Sequence, residues 1–124
     1  MNKIRVLVVD DSPFSQKMID KALLNSNYEV CGYAGTGSEG IEKYRTCNPD
    51  IVTMDFTLPD MDGLTCCREI LVVDPHAKIV VLSAMKDEML INSGTAIGIR
   101  GFLQKPVKSD KLIAALNTVM NEDK

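Results

Sequence analysis

Five short apolar runs, each followed by a stretch with helical periodicity, restrict what this chain can fold into. The first, Ile4 to Val9, is aliphatic apart from Arg5 and shows no alternating polar face. A strand of that kind has to be covered on both sides, as in a parallel sheet flanked by helices. Tyr28 to Tyr33, Ile51 to Met54, Ile79 to Leu82 and Arg100 to Leu103 supply four more strands. Between them, Ser12-Pro13 reads as the N-cap and first position of a helix with Phe14, Met18 and Leu23 inward. Thr36-Gly37-Ser38-Glu39 is a capping box opening a helix that carries Ile41 and Tyr44. A third helix runs from about Gly63 to Val73, with Leu64, Cys67, Ile70 and Leu71 on one stripe. A fourth lies between Lys86 and Ile97 and stops at Gly98; a fifth starts near Ser109 and spaces Leu112, Ile113, Leu116, Val119 and Met120 along one face.

Strands and helices that alternate over short connections demand right-handed crossovers and a mainly parallel sheet. The 124 residues fit one domain, read here as spanning 1–124, and no composition break marks a linker. In open sheets of this class ligands bind beyond the carboxyl ends of the strands. The residues at those ends are Asp10, Asp11, Asp55, Ser83 and Lys105.

Composition removes several function classes. With 14 basic and 17 acidic residues the net charge is −3, and no basic run is present, so neither nucleic acid nor an anionic membrane surface is an expected partner. The apolar run after Met1-Asn2-Lys3 ends at Asp10-Asp11, too early for a signal peptide, and no stretch is long enough to span a bilayer. A cytoplasmic monomer is expected. Cys31, Cys47, Cys66 and Cys67 contain no Cys-x-x-Cys spacing and read as reduced, small apolar side chains. His76, in a polar stretch without chelating neighbours, reads as a surface residue.

Each acidic residue alone has an ordinary explanation, as a helix cap or a turn former. Together they do not, because the first and third strands are neighbours in a doubly wound sheet and bring three carboxylates to one mouth. Two like charges about 4 Å apart repel by about 4 kcal/mol at an effective dielectric near 20. Such crowding needs a cation or a raised pKa to relieve it. Hard oxygen ligands suit Mg²⁺, which neutralises charge in phosphoryl transfer, and a carboxylate beside it is a competent nucleophile. Lys105, just before Pro106, can reach phosphate oxygens, and Ser83 offers a hydroxyl at the same mouth.

With these residues in place, the chain resembles the receiver domains of bacterial two-component response regulators over essentially its whole length. The resemblance rests on Val8-Val9-Asp10-Asp11-Ser12, Asp50 to Asp55, Leu58-Pro59-Asp60-Met61-Asp62-Gly63, Val81-Leu82-Ser83-Ala84 and Lys105-Pro106, in that order. It implies a flavodoxin-like (βα)5 fold, a doubly wound five-stranded parallel sheet with strand order 2-1-3-4-5. It further implies Asp55 as phosphoacceptor; Asp10, Asp11 and the main-chain carbonyl of Thr57 as Mg²⁺ ligands; and Lys105 as phosphate partner, with a cis bond to Pro106. Ser83 is implied as the switch hydroxyl and Phe102 as the aromatic that responds to it.

The chain ends after the fifth helix, so output is expected through a protein-binding face formed by Lys86 to Ile97, Phe102 and Lys108 to Met120. The style of the match is that of chemotaxis regulators of the CheY type. That implies a sensor histidine kinase as donor, a flagellar motor switch protein as target, a possible phosphatase and slow self-hydrolysis without enzyme status. The alternatives are a single-domain phosphorelay intermediate, a flavodoxin-like electron carrier, which Asp10-Asp11 disfavour by repelling a flavin phosphate, and an Asp-nucleophile phosphohydrolase, whose Asp-x-Asp after the first strand is missing.

Overall fold

The computed structural model describes residues 3–85 and 87–122. The chain alternates β1 (Ile4–Val9), α1 (Pro13–Leu23), β2 (Tyr28–Ala34), α2 (Gly37–Cys47), β3 (Ile51–Asp55), α3 (Gly63–Val73), β4 (Ile79–Ser83), α4 (Glu88–Ile97), β5 (Gly101–Gln104) and α5 (Ser109–Asn121). All neighbouring strands are parallel and run in the order β2-β1-β3-β4-β5. The expected doubly wound α/β sheet is therefore the one observed. Lys86, the first residue expected on the output face, lies outside the described residues.

Two apolar layers sandwich the sheet. Leu7, Val9, Val52, Met54, Ile79 and Val81 pack on the side of α2 and α3 with Tyr44, Cys66, Cys67 and Ile70. Val6, Val8, Ile51, Val80 and Leu82 pack on the side of α1 and α5 with Ile19, Leu23, Leu112, Leu116 and Val119. Side chains of successive strand residues point to opposite faces, so both sets must be apolar, which explains the unbroken aliphatic runs.

Capping follows the sequence signals. Ser12 accepts from the Ser15 N–H at 3.3 Å with Pro13 at the first helical position, and Thr36 accepts from the Glu39 N–H at 3.0 Å. The Glu39 carboxylate reaches one residue further back than a capping box requires, accepting from the Gly35 N–H at 2.9 Å. Gly98 ends α4 at φ 110°, a conformation that costs glycine little.

Phe14 departs from expectation. It is 71% exposed, not inward, while Ile19, Ala22 and Leu23 form the buried stripe of α1. Continuing that stripe toward the N-terminus at 100° per residue brings up Ser15 and Gln16, and Phe14 falls on the far side. The inward positions of the first turn are polar because they face the acidic mouth of the sheet.

Candidate functional site

β1 and β3 are adjacent and in register, with Val9 opposite Met54, so Asp10 and Asp55 leave neighbouring strands at one edge. One ligand oxygen from each of Asp10, Asp11 and Asp55 can be chosen so that all lie within 4.8 Å of one another. Asp10 and Asp55 are buried and Asp11 is exposed. Lys105, carried past the end of β5, enters this cup: its Nζ lies 3.2 Å from Asp10 Oδ2 and 3.3 Å from Asp55 Oδ1. The Lys105–Pro106 bond is cis.

Local hydrogen bonds orient the carboxylates. Asp10 Oδ1 accepts from the Ser12 N–H at 2.9 Å, and the Asp10 carbonyl accepts from Gln16 Nε2 at 2.7 Å. Asp55 Oδ1 accepts from the Thr57 N–H at 3.3 Å. Burial holds the Asp55 carboxyl above the ordinary aspartate range; the Asp10 charge adds to that push, while Lys105 and the Thr57 N–H oppose it. Crowding is thus relieved both by a cation, Lys105, and by a raised pKa.

The loop after β3 is built to hold this arrangement. Thr57 forms an isolated antiparallel bridge with Asp62, and the Gly63 N–H donates to the Phe56 carbonyl at 2.6 Å. A Cβ on Gly63 would stand 2.5 Å from the Asp55 carbonyl oxygen, so α3 can start this close to β3 only with glycine there. Asp60 ties the loop to the start of α2, accepting from the N–H groups of Gly37 at 2.7 Å and Ser38 at 3.0 Å. These bonds hold the Asp60 carboxyl below its usual range.

Ser83 ends β4, is buried, and its hydroxyl accepts from the Met85 N–H at 3.2 Å. It lines a cleft of about 260 Å³ together with Phe102, Leu90 and Ile91. Phe102 is half-buried and its ring presses on Gly94 of α4. The structure therefore gathers Asp10, Asp11, Asp55 and Lys105 at one point, and brings Ser83 and Phe102 to a shared cleft beside it.

Several participants were not legible in the sequence. Gln16, and Ser15 with its Oγ 3.5 Å from Lys105 Nζ, belong to no motif that marks them in the sequence. The bond from Asp60 to α2 crosses 22 to 23 positions and has no local signature.

The donor set fits a hard divalent cation: three carboxylates, with no thiol or imidazole among them. A parallel α/β sheet with an acidic cup and a lysine at its carboxyl edge defines a class of protein, the phospho-accepting signalling switch. The chain belongs to the response regulator receiver domain family, whose model matches residues 6–117. Among curated proteins it is 42% identical to the chemotaxis protein CheY of Thermotoga maritima, over 93% of this chain and 96% of that one. It is 38% identical to CheY of Bacillus subtilis, over 94% and 98% of the two chains. Among solved structures it superposes on a chain of the CheX–CheY–BeF3–Mg²⁺ complex of Borrelia burgdorferi with a TM-score of 0.91, at 32% identity over 96% of this chain and 90% of that one. The protein is a phosphoacceptor response regulator of a two-component system. No helix among the described residues is long and apolar enough to cross a membrane.

Proposed function

We propose that Asp55 is the residue that takes the phosphoryl group, that Asp10, Asp11 and the Thr57 carbonyl hold Mg²⁺ beside it, and that the protein works in chemotaxis. The observation that carries this reading is the meeting of Asp10, Asp11 and Asp55 within 4.8 Å, with Lys105 Nζ against two of them. Mg²⁺ bound there would neutralise charge on the transferring group and orient its oxygens. An Asp55 carboxylate oxygen is the nucleophile: it forms the bond to phosphorus as the bond to the donor, a sensor kinase's phosphohistidine, breaks. Lys105 then exchanges its contact with Asp55 for the new phosphoryl oxygens.

Phosphorylation adds roughly −1.5 to −2 charges and three strong acceptor oxygens. Only in that state can Ser83 and Lys105 exchange their present contacts, with the Met85 N–H and with Asp55, for phosphoryl oxygens, the differential contact a two-state switch requires. As the Ser83 hydroxyl turns from the Met85 N–H toward the phosphoryl group, the shared cleft lets Phe102 move inward and changes the face made by residues 87–97, Phe102 and Lys108 to Met120. The kinship with CheY chemotaxis proteins favours a flagellar motor switch protein as target, a cytoplasmic location and a monomeric state, and the complex of a CheY with CheX favours a second protein partner; control by a phosphatase and slow self-hydrolysis belong to the same reading.

The test is incubation with Mg²⁺ and a small phosphodonor, with the modified residue mapped by mass spectrometry. Modification at Asp55 that is lost in Asp55→Asn supports the reading; an unchanged mass refutes it. Binding of the phosphorylated form to a motor switch protein, against transfer to a histidine on a second protein, separates chemotaxis from a phosphorelay.

A further inference from the structure

β2 is an edge strand, and its pairing with β1 slips by one residue: Val6 faces Val30 but Leu7 faces Gly32. Cys31 is the extra residue of this bulge, and a bulge re-aims the side chain it carries. Cys31 packs on the α2 side of the sheet, where Cys47, the last residue of α2, meets it. The Cys47 thiol donates to the Cys31 carbonyl oxygen at 3.7 Å, which places the two cysteines side by side. Gly32 keeps the space open, since a Cβ there would stand 3.1 Å from Cys47 Sγ. Cys31 and Cys47 are half-buried, whereas Cys66 and Cys67 are buried. The Arg5 guanidinium donates to the carbonyls of Cys47 and Asn48, placing a fixed positive charge beside the pair. Burial pushes the Cys31 thiol up, and Arg5 acts against that push.

We propose that Cys31 and Cys47 are a redox modification site, a dithiol that a hydroperoxide converts into an intramolecular disulfide joining the sheet edge to the end of α2. One thiolate attacks a peroxide oxygen, breaking the O–O bond; it becomes a sulfenic acid and the other oxygen leaves as water after taking up a proton. The second thiolate then attacks the sulfenic sulfur, forming the S–S bond and releasing the remaining oxygen as a second water. Two thiols and one hydrogen peroxide give one disulfide and two waters: the sulfurs lose two electrons and the peroxide gains them. The approach of Cys47 Sγ to the Cys31 main chain and the partial exposure of both residues favour this pair over Cys66, whose thiol burial raises to about 12.

The reduced full-length chain is treated with hydrogen peroxide, blocked with N-ethylmaleimide while folded, and analysed by intact mass and peptide mapping. The expected result is a loss of two hydrogens, a Cys31 peptide joined to a Cys47 peptide, and full reversal by dithiothreitol. Cys31→Ser and Cys47→Ser each remove the mass loss. Continued labelling of both Cys31 and Cys47 after oxidation, or linkage through Cys66, Cys67 or a second chain, overturns the proposal. The wild-type peptide map decides this whether or not either variant folds.

Discussion

The ring of Phe102 fills the space that Gly94 leaves by having no side chain: a Cβ on Gly94 would stand 2.6 Å from Phe102 Cζ and 3.2 Å from Ile99 Cδ1. An interior helix glycine costs about 1 kcal/mol relative to alanine, so α4 gives up helix stability to seat this ring. Gly94→Ala should therefore lower Tm despite its better helix propensity, while the same change in a Phe102→Ala background should raise it. Thermal melts of the four proteins in a double-mutant cycle measure the coupling, expected at about 1–2 kcal/mol. Additive effects would mean that the ring and the glycine are independent.

The raised Asp55 pKa has a consequence for stability. The folded state holds this proton to higher pH than the unfolded chain does, so Asp55 ionisation costs the fold stability as pH rises from the ordinary aspartate value through the raised one. Asp55→Asn should consequently melt higher than wild type at pH 7 in chelator. A gain of about 1 kcal/mol would appear as roughly 4 °C in Tm for a chain of this size. The difference should close on acidification below the unfolded aspartate range, and shrink at pH 7 when Mg²⁺ is added. A gain that persists unchanged at low pH would trace to another cause.

The single charge of Lys105 contacts two buried carboxylates at once. Lys105→Met should destabilise the metal-free fold by about 2 kcal/mol, below the range for fully buried pairs because Lys105 keeps some contact with water. Mg²⁺ should restore a larger share of stability to this variant than it adds to wild type, read as the shift in denaturation midpoint with and without the ion.

Asp60 makes the opposite pH signature. Its carboxyl is held below the usual range by the Gly37 and Ser38 N–H groups, so its contribution is present above the unfolded aspartate pKa and is lost as pH falls through the folded value. Asp60→Asn should melt lower than wild type at pH 7 and match it in strong acid. Equal melting at neutral pH would remove Asp60 as the tie between the β3–α3 loop and α2.

Helix α4 buries Leu90 and Gly94, the second of which contributes no side chain, whereas α5 buries Leu112, Leu116 and Val119. Amide exchange in residues 88–97 should therefore exceed that in 112–120, the behaviour of a segment that can be remodelled. Comparable protection in the two helices would remove α4 as the compliant element of the proposed output face.

What the sequence determined by itself was the order and type of every element and the residues at the strand ends. Those features are local: continuous aliphatic runs, N-caps at Ser12 and Thr36, the stop at Gly98, and carboxylates placed where a parallel sheet must open. Tertiary structure alone decided which distant groups meet. Phe14 turned outward because the first inward positions of α1 went to Ser15 and Gln16; Gly94 had a partner in Phe102; Asp60 reached α2; and one bulge brought Cys31 to Cys47. Periodicity reports the face a residue occupies, but the contact made across that face depends on strand register and helix position, and these are settled only when the whole chain packs.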